Sequence, residues 1–456
     1  MRQWFSIAAL LLAGTAYAEH HVLSHSIPVG GLNTDEQRIV QWVADHSDAL
    51  VTQLREHVNI NSGTMNHKGV QRVGAALAKD FADIGFTTRW VDMPASVNRA
   101  GHLFAQRSGN KGLKILAIGH LDTVFEQDDA FSSFTQDGNI ARGPGVADMK
   151  SGNLIILYAL KALHENNLLD GAQIQVAFTG DEESAGEPLA VARRDLITAG
   201  KWADVALGFE AGARDTNADG VTTIEYATVA RRSSSDWYLE VTGRQAHSSG
   251  IFSNRVGAGA VFETSRILNA FYTSLRGEPY LTFNPGTIVA GTDVDYDVAQ
   301  TRGTAFGKTN VVSSRAIVHG GIRTISNEQL ERARQTMRDI VSDNLPGTSA
   351  TITFGDGYPA MAPTPANEQL RMMLASINMA LGRDDMPPLD PSRRGAADIS
   401  FVAPHAASLA GLGAYGSGGH SPREQLELDS IPVATQRAAI LLYRLIHGAL
   451  PDLAEE

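Results

Sequence analysis

The chain contains no cysteine, which excludes disulfides and thiolate metal ligands and leaves His, Asp and Glu as the donors from which a zinc-type site could be built. It also lacks a hydrophobic run of membrane-spanning length. The apolar stretch near its start, Phe5 to Ala13, falls well short of the ~20 residues a spanning helix needs. With no cysteine there is no thiol to carry a lipid anchor. Positive charge is in deficit, with 38 Lys and Arg against 50 Asp and Glu and a net charge of −12. That balance argues against nucleic acid or an anionic membrane as the main partner, and it repels acidic substrates at long range. Selectivity for a carboxylate would therefore have to come from local arginines. No internal repeat and no long low-complexity tract interrupts the 456 residues, a length that favours two domains.

What is present begins with an export signal. Arg2 supplies a positive n-region, Phe5 to Ala13 the apolar h-region, and Ala16-Tyr17-Ala18 the small residues of a cleavage site. The expected order is a signal peptide over residues 1–18, a flexible N-terminal segment over 19–33 and an exported, periplasmic or secreted protein free of the membrane after cleavage. Cleavage after Ala18 would expose Glu19-His20-His21, a free amine with a third-position histidine that can wrap copper(II) or nickel(II).

Five short motifs then place acids and histidines at the ends of apolar runs. Leu113 to Ile118 reads as a buried strand and delivers Gly-His-Leu-Asp-Thr-Val, with His120 and Asp122 on the same side of the chain. A carboxylate two residues on can fix the tautomer of a metal-bound imidazole, although His-x-Asp alone more often marks a locally bonded strand-end histidine. Gly-Pro-Gly-Val-Ala-Asp-Met-Lys puts Asp148 where a glycine-punctuated loop enters a helix over about Asn153 to Leu163. There it can serve as a cap or, with two oxygens, bridge two cations. The strand Gln173 to Phe178 ends in Gly-Asp-Glu-Glu, bringing Glu182 and Glu183, and the strand Asp204 to Phe209 ends at Glu210. A glycine-rich stretch, Gly411 to Gly419, precedes His420. Solvated loop acids and a surface histidine account for any one of these alone. Most of the set follows apolar strands, however, and carboxyl ends of strands are where open α/β sheets bind ligands.

In this ordered set the sequence resembles the co-catalytic zinc peptidases that include glutamate carboxypeptidase, aminoacylase and succinyl-diaminopimelate desuccinylase, and is most like the bacterial glutamate carboxypeptidases. The likeness runs from about Thr34 to about Pro451. It implies two zinc ions per subunit, with cobalt or manganese as possible substitutes: one ion on His120 and Glu210, the other on Glu183 and His420, and Asp148 bridging. It further implies that Asp122 orients His120, that Glu182 is the general base, and that the peptide after Asp148 is cis. Glutamate at position 210 accompanies carboxypeptidase-like rather than aminopeptidase-like activity in that family.

The implied fold is α/β, an open mixed-sheet catalytic domain with helices on both faces, interrupted by a smaller α+β lid and dimerisation domain. A capping box at Thr34 to Gln37 starts a helix reaching about Glu56, and strands and helices alternate as far as Glu210. The catalytic domain is expected over 34–220 and 349–456, with the insertion over 221–348, where β-rich segments flank helices at Arg255 to Leu275 and Glu328 to Ser342. Within the insertion the resemblance assigns His247, in Gly-Arg-Gln-Ala-His-Ser-Ser-Gly, to the oxyanion of a catalytic centre, usually the partner subunit's, and Asn310 and Arg323 to the substrate's carboxylate or backbone. A loop-tip histidine bonded to its own serines is the plain alternative.

Two departures from the family pattern fall near the substrate. Gly321 replaces an acid before Arg323, and Arg393-Arg394-Gly395-Ala396-Ala397-Asp398 stands where relatives show Gly-Gly-Thr-Asp. The expected activity is hydrolysis of a peptide or N-acyl-amino-acid amide, releasing a C-terminal amino acid, by a homodimer joined through the inserted domain. The alternatives are a deacylase or dipeptidase of the same chemistry, and a non-catalytic exported binding protein.

Overall fold

The computed structural model describes residues 31–448. The export signal and the Glu19-His20-His21 terminus lie outside the described residues. At the core is a six-stranded mixed sheet, in spatial order Thr87–Val91, His102–Arg107, Ala172–Thr179, Lys111–His120, Val205–Gly208 and Ala407–Leu409. The last four run parallel; His102–Arg107 is antiparallel to its neighbours on either side. Strands buried on both faces read as continuous apolar runs, and Ile115, Leu116, Ala117, Ile174, Val176, Val205 and Leu207 are all fully buried.

The helix Ser151–Glu165 is apolar nearly all round because it is packed on every side, against the sheet and against the long helix Ser430–His447. Gly152 permits this: a Cβ there would lie 2.0 Å from the Phe209 carbonyl oxygen. The first helical stretch is two helices, Thr34–Asp45 and Ser47–Val58, and its capping box is built by Asn33 with Glu36 rather than starting at Thr34. The asparagine side chain reaches the N3 amide and so ends the chain's extended entry one residue earlier.

A second sheet, fully antiparallel, is ordered Thr282–Gly291, Arg315–Arg323, Ser234–Gly243 and Thr348–Tyr358. Helices Ala260–Leu275 and Asn327–Ser342 bury Ile267, Phe271, Ala333 and Met337 with Trp237, Leu239, Val318 and Ile322 in a core separate from that of the large sheet. This sheet occupies Ser234 to Tyr358, later at both ends than the 221–348 read from sequence. Thr222–Tyr226 pairs instead with Ala213–Thr216 outside it, and Thr348–Tyr358 is an edge strand with no fully buried side chain to announce it. No helix among the described residues is long and apolar enough to cross a membrane.

Candidate metal centre

Four parallel strands release their chains at one edge of the large sheet. Lys111–His120 ends on His120 itself, Ala172–Thr179 is followed by Asp181, Glu182 and Glu183, Val205–Gly208 by Glu210, and Ala407–Leu409 by the loop that carries His420. Asp148 enters from a short irregular turn, Val146–Lys150, at the head of the Ser151–Glu165 helix, and its peptide bond to Met149 is cis.

Asp148 stands between two imidazoles. Its Oδ1 lies 3.2 Å from His120 Nε2 and its Oδ2 lies 3.2 Å from His420 Nε2. His420 Nε2 is also 3.1 Å from Glu183 Oε2. One ligand atom each from His120, Asp148 and Glu183 fit within 4.8 Å of one another. His420 adopts a left-handed backbone (φ 60°) beside Gly418 and Gly419, a conformation that costs a non-glycine residue on the order of 1 kcal/mol and that turns its ring back toward the acids.

The charges explain what such a cluster requires. Burial pulls the His120 imidazole down, but the Asp122 and Asp148 carboxylates outweigh it and hold the group well above the usual histidine range. Asp148 and Glu183 raise His420 to about 11. Burial lifts Glu183, and it lifts Glu182 well above the carboxylate range, with Glu210, Asp398 and Glu183 adding repulsion against the pull of His120. Three acids and two imidazoles in near contact call for positive charge, supplied either by protons on the histidines or by bound cations. The donors are imidazole nitrogens and carboxylate oxygens only, a set suited to zinc and similar divalent ions.

Asp122 is completely buried and does more than face His120. Its backbone oxygen is 3.0 Å from His120 Nδ1 and its Oδ1 3.4 Å. The same carboxylate accepts the amides of Glu182 (3.0 Å) and Glu183 (3.1 Å) and the Thr64 hydroxyl (2.6 Å). It thus fixes the acid pair as well as the ring.

Glu210 shares a small cavity with His120, Glu182, Arg231 and Asp398, but its carboxylate is turned to Arg231, 2.5 Å away, and stands outside the His120–Asp148–Glu183 group. His247 is exposed on the small-sheet domain, its Nδ1 2.8 Å from the Ser249 hydroxyl and accepting the Ser249 amide at 3.2 Å. Asn310 is beside it, its carbonyl accepting the Ser248 amide at 2.9 Å. Arg323 ends the strand Arg315–Arg323 and is exposed. The structure therefore joins His120, Asp122, Asp148, Glu182, Glu183 and His420 in one place, with Glu210 at its border and His247 and Asn310 elsewhere as a pair.

Two supports escaped the sequence reading. Glu424, four residues beyond His420, is fully buried and accepts the amides of Gly145 (3.1 Å), Ala147 (2.9 Å) and Asp148 (3.0 Å), so the loop bearing His420 braces the turn bearing Asp148. Burial pushes its carboxyl up to about 7 against those three donors. Behind the acid pair, fully buried Arg193 donates to Asp181 (2.6 Å), Asp398 (2.8 Å) and the Tyr358 hydroxyl (2.7 Å), and that hydroxyl donates to the Glu182 carbonyl (2.8 Å). A polar residue in a polar stretch carries no local sign of burial, so neither support was visible from spacing.

Comparison with known proteins places the chain in a family. Residues 116–444 match the family described as Peptidase family M20/M25/M40, and the chain belongs to that family. It is accordingly a metallohydrolase of the peptidase and amidohydrolase type. It is 26% identical over 450 residues to carboxypeptidase G2 of Pseudomonas sp. (strain RS-16), covering 97% of each chain. It is 24% identical over 425 residues to succinyl-diaminopimelate desuccinylase of Psychrobacter sp. (strain PRwf-1), covering 89% of this chain and 97% of the other. Among solved structures, aminopeptidase PepT of Bacillus cereus superposes with a TM-score of 0.65 at 17% identity, covering 88% of this chain and 98% of that one, which is a likeness of fold.

Proposed function

We propose that the protein is a zinc-dependent amidohydrolase of the carboxypeptidase type, releasing a C-terminal amino acid from a small peptide or N-acyl-amino-acid substrate. The observation that carries this reading is the approach of His120, Glu183 and His420 to the two oxygens of Asp148. The residues fit a pair of divalent ions: His120 and Glu210 for one, Glu183 and His420 for the other, with Asp148 shared. Glu210 must then leave Arg231 or share with it. When bound, the ions polarise the scissile carbonyl and acidify the attacking water.

The chain's own residues perform the rest. Glu182, whose proton affinity burial raises, takes a proton from the attacking water when ionised and delivers it to the leaving amine. Asp122 and Tyr358 hold the Glu182 backbone in place while it does so. Arg323 and Asn310 bind the substrate's free carboxylate and backbone, arginine through its planar fork. His247, exposed and on the small-sheet domain, serves the oxyanion of a partner subunit's centre in a homodimer formed through that domain, and closure of the domain excludes water from the cleft. The apolar and small-residue pattern of residues 1–18 supports export to the periplasm or beyond. The names carboxypeptidase and desuccinylase of the two relatives both fit an amide next to a carboxylate.

Glu182→Gln tests the assignment of the base. The variant is expected to keep its metal content and to lose at least ~100-fold in kcat, the usual contribution of a positioned general base. Full activity in a metal-replete Glu182→Gln enzyme contradicts it.

A further inference from the structure

The chain passes between the two domains twice, at 231–234 and at 358–361, and the two crossings pair as an antiparallel ribbon. Arg231 and Met361 exchange both backbone hydrogen bonds (2.9 and 3.0 Å), and Ser234 pairs with Tyr358. Met361 packs in the apolar cluster on one face of the large sheet, with Leu116, Ile118 and Ala206. At the other end the Ser233 amide donates to the Thr324 carbonyl (2.7 Å) and the Thr324 amide to the Ser233 hydroxyl (2.9 Å), which fastens the ribbon to the small-sheet domain. Glycine at 357 lets the strands close, since a Cβ there would lie 1.9 Å from the Ser234 carbonyl oxygen. Any change in the angle between the domains therefore passes through this ribbon.

Each strand of the ribbon sends one side chain to an acid of the reaction centre. Tyr358 donates to the Glu182 carbonyl (2.8 Å). Arg231, buried, donates through Nη2 to the Glu210 carboxylate (2.5 Å) and through Nε to the Gly395 carbonyl (2.8 Å). An arginine does not give up its proton in a protein, so the positive charge on Glu210 is permanent. A divalent ion on His120 and Glu210 would share that carboxylate with a like charge already in contact with it, a repulsion that burial strengthens. The cation at that position therefore binds against Arg231, and Arg231 yields as the ribbon shifts. No lysine or arginine among the described residues forms a salt bridge with Asp148 or Glu183, whose partners are His120 and His420, so the other position carries no such competitor.

We infer that Arg231 is a positioning residue that couples the cation on His120 and Glu210 to the hinge between the domains. The position formed by Asp148, Glu183 and His420 fills first, and filling of the second displaces Arg231 and turns the small-sheet domain. This rests on the two-cation reading above. Until the second ion arrives, Arg231 supplies the charge that a partly buried Glu210 needs. Coupling of this kind is reciprocal, so a domain angle that draws Arg231 away from Glu210 raises the affinity for the second divalent ion by the same factor by which that ion favours the angle.

The test is a zinc titration of the metal-free protein followed in two ways. Affinity is read by competition with a chromophoric chelator, and domain angle by fluorescence transfer between dyes on Lys79→Cys and Arg338→Cys, exposed positions on the two domains of a chain that has no other thiol. Two steps about tenfold or more apart are expected without further substitution, with the transfer signal changing at the weaker one, and Glu210→Gln is expected to remove that step. Arg231→Met is expected to tighten the weaker step about tenfold or more, to leave the stronger within about twofold, and to abolish the transfer change. Arg231→Gln, which keeps an amide for the Gly395 carbonyl without the charge, is expected to do the same and serves if the methionine variant does not fold. A weaker step unchanged or weakened further in these variants, or a transfer signal indifferent to the second ion when Arg231 is present, overturns the inference, and the two bound ions leave the metal-pair reading standing. Fewer than two ions bound with and without Arg231 overturns that reading, and the inference with it.

Discussion

Asp122 receives two backbone amides and a hydroxyl while facing His120, so one buried carboxylate sets the orientation of an imidazole and of both adjacent glutamates. Replacing it with asparagine turns an NH2 group toward donors. Asp122→Asn is expected to weaken metal binding by about 10–100-fold, the usual effect of losing an orienting partner behind a ligand, measurable by competition with a chromophoric chelator. Unchanged affinity would mean that His120 is held by the Asp122 backbone carbonyl alone. The residues most legible in sequence were those on which the chain spends glycine and apolar runs: His120, Asp148, Glu183 and His420 each follow such a stretch. Arg231 as the partner of Glu210 was not legible, because 21 residues separate them and an arginine in a polar stretch carries no sign of burial.

At the scale of elements, the turn around Asp148 is fixed from outside by Glu424 and from below by the approach of Gly152 to the Phe209 carbonyl. Glu424→Ala would leave three buried amides without an acceptor, an expected loss on the order of 3 kcal/mol in denaturant unfolding of the metal-free protein. A loss below about 0.5 kcal/mol would place those amides in water. Gly152→Ala pushes a methyl group into backbone and is expected to destabilise by about 1–3 kcal/mol, read from the same transition. Strands with continuous apolar runs were readable from sequence to within two residues. The edge strand Thr348–Tyr358 was not, since its alternate residues are only half-buried and glycines at 355 and 357 break the pattern. Asn33 displaced Thr34 as the helix cap because both are capping residues and only geometry chooses between them.

Across the whole molecule, the small sheet has a core of its own, the large sheet packs a separate cluster on each face, and a buried polar clamp ties the chain's late segments to its middle. Glu225 accepts from Arg383 (2.8 Å), Arg437 (2.5 Å), the Tyr415 hydroxyl (2.9 Å) and Asn378 (3.2 Å), joining the strand Thr222–Tyr226 to the helices Pro365–Ala380 and Ser430–His447. Burial opposes ionisation of Glu225, but these partners win and depress its carboxyl to about 2. A depressed carboxylate stabilises the fold above its unfolded pKa, so this contribution is complete above about pH 4.5 and is lost as the pH falls toward 2. Glu225→Gln is expected to lower stability at pH 7 by on the order of 2 kcal/mol and to flatten the acid limb of the stability curve. An acid limb identical to that of the wild type would assign the pH dependence to other groups. The alternation of strands and helices, and its interruption by an insertion, could be read from periodicity. The clamp could not, because its members are up to 212 residues apart.

The proposed chemistry requires Asp148 to share two cations with the flanking histidines and glutamates. Metal content per chain, determined by inductively coupled plasma mass spectrometry after reconstitution with zinc and removal of free ion, tests it directly. Two equivalents are predicted for the wild type and fewer than one for Asp148→Ala. A wild-type protein that retains no zinc, or an Asp148→Ala variant that retains both equivalents, would contradict it.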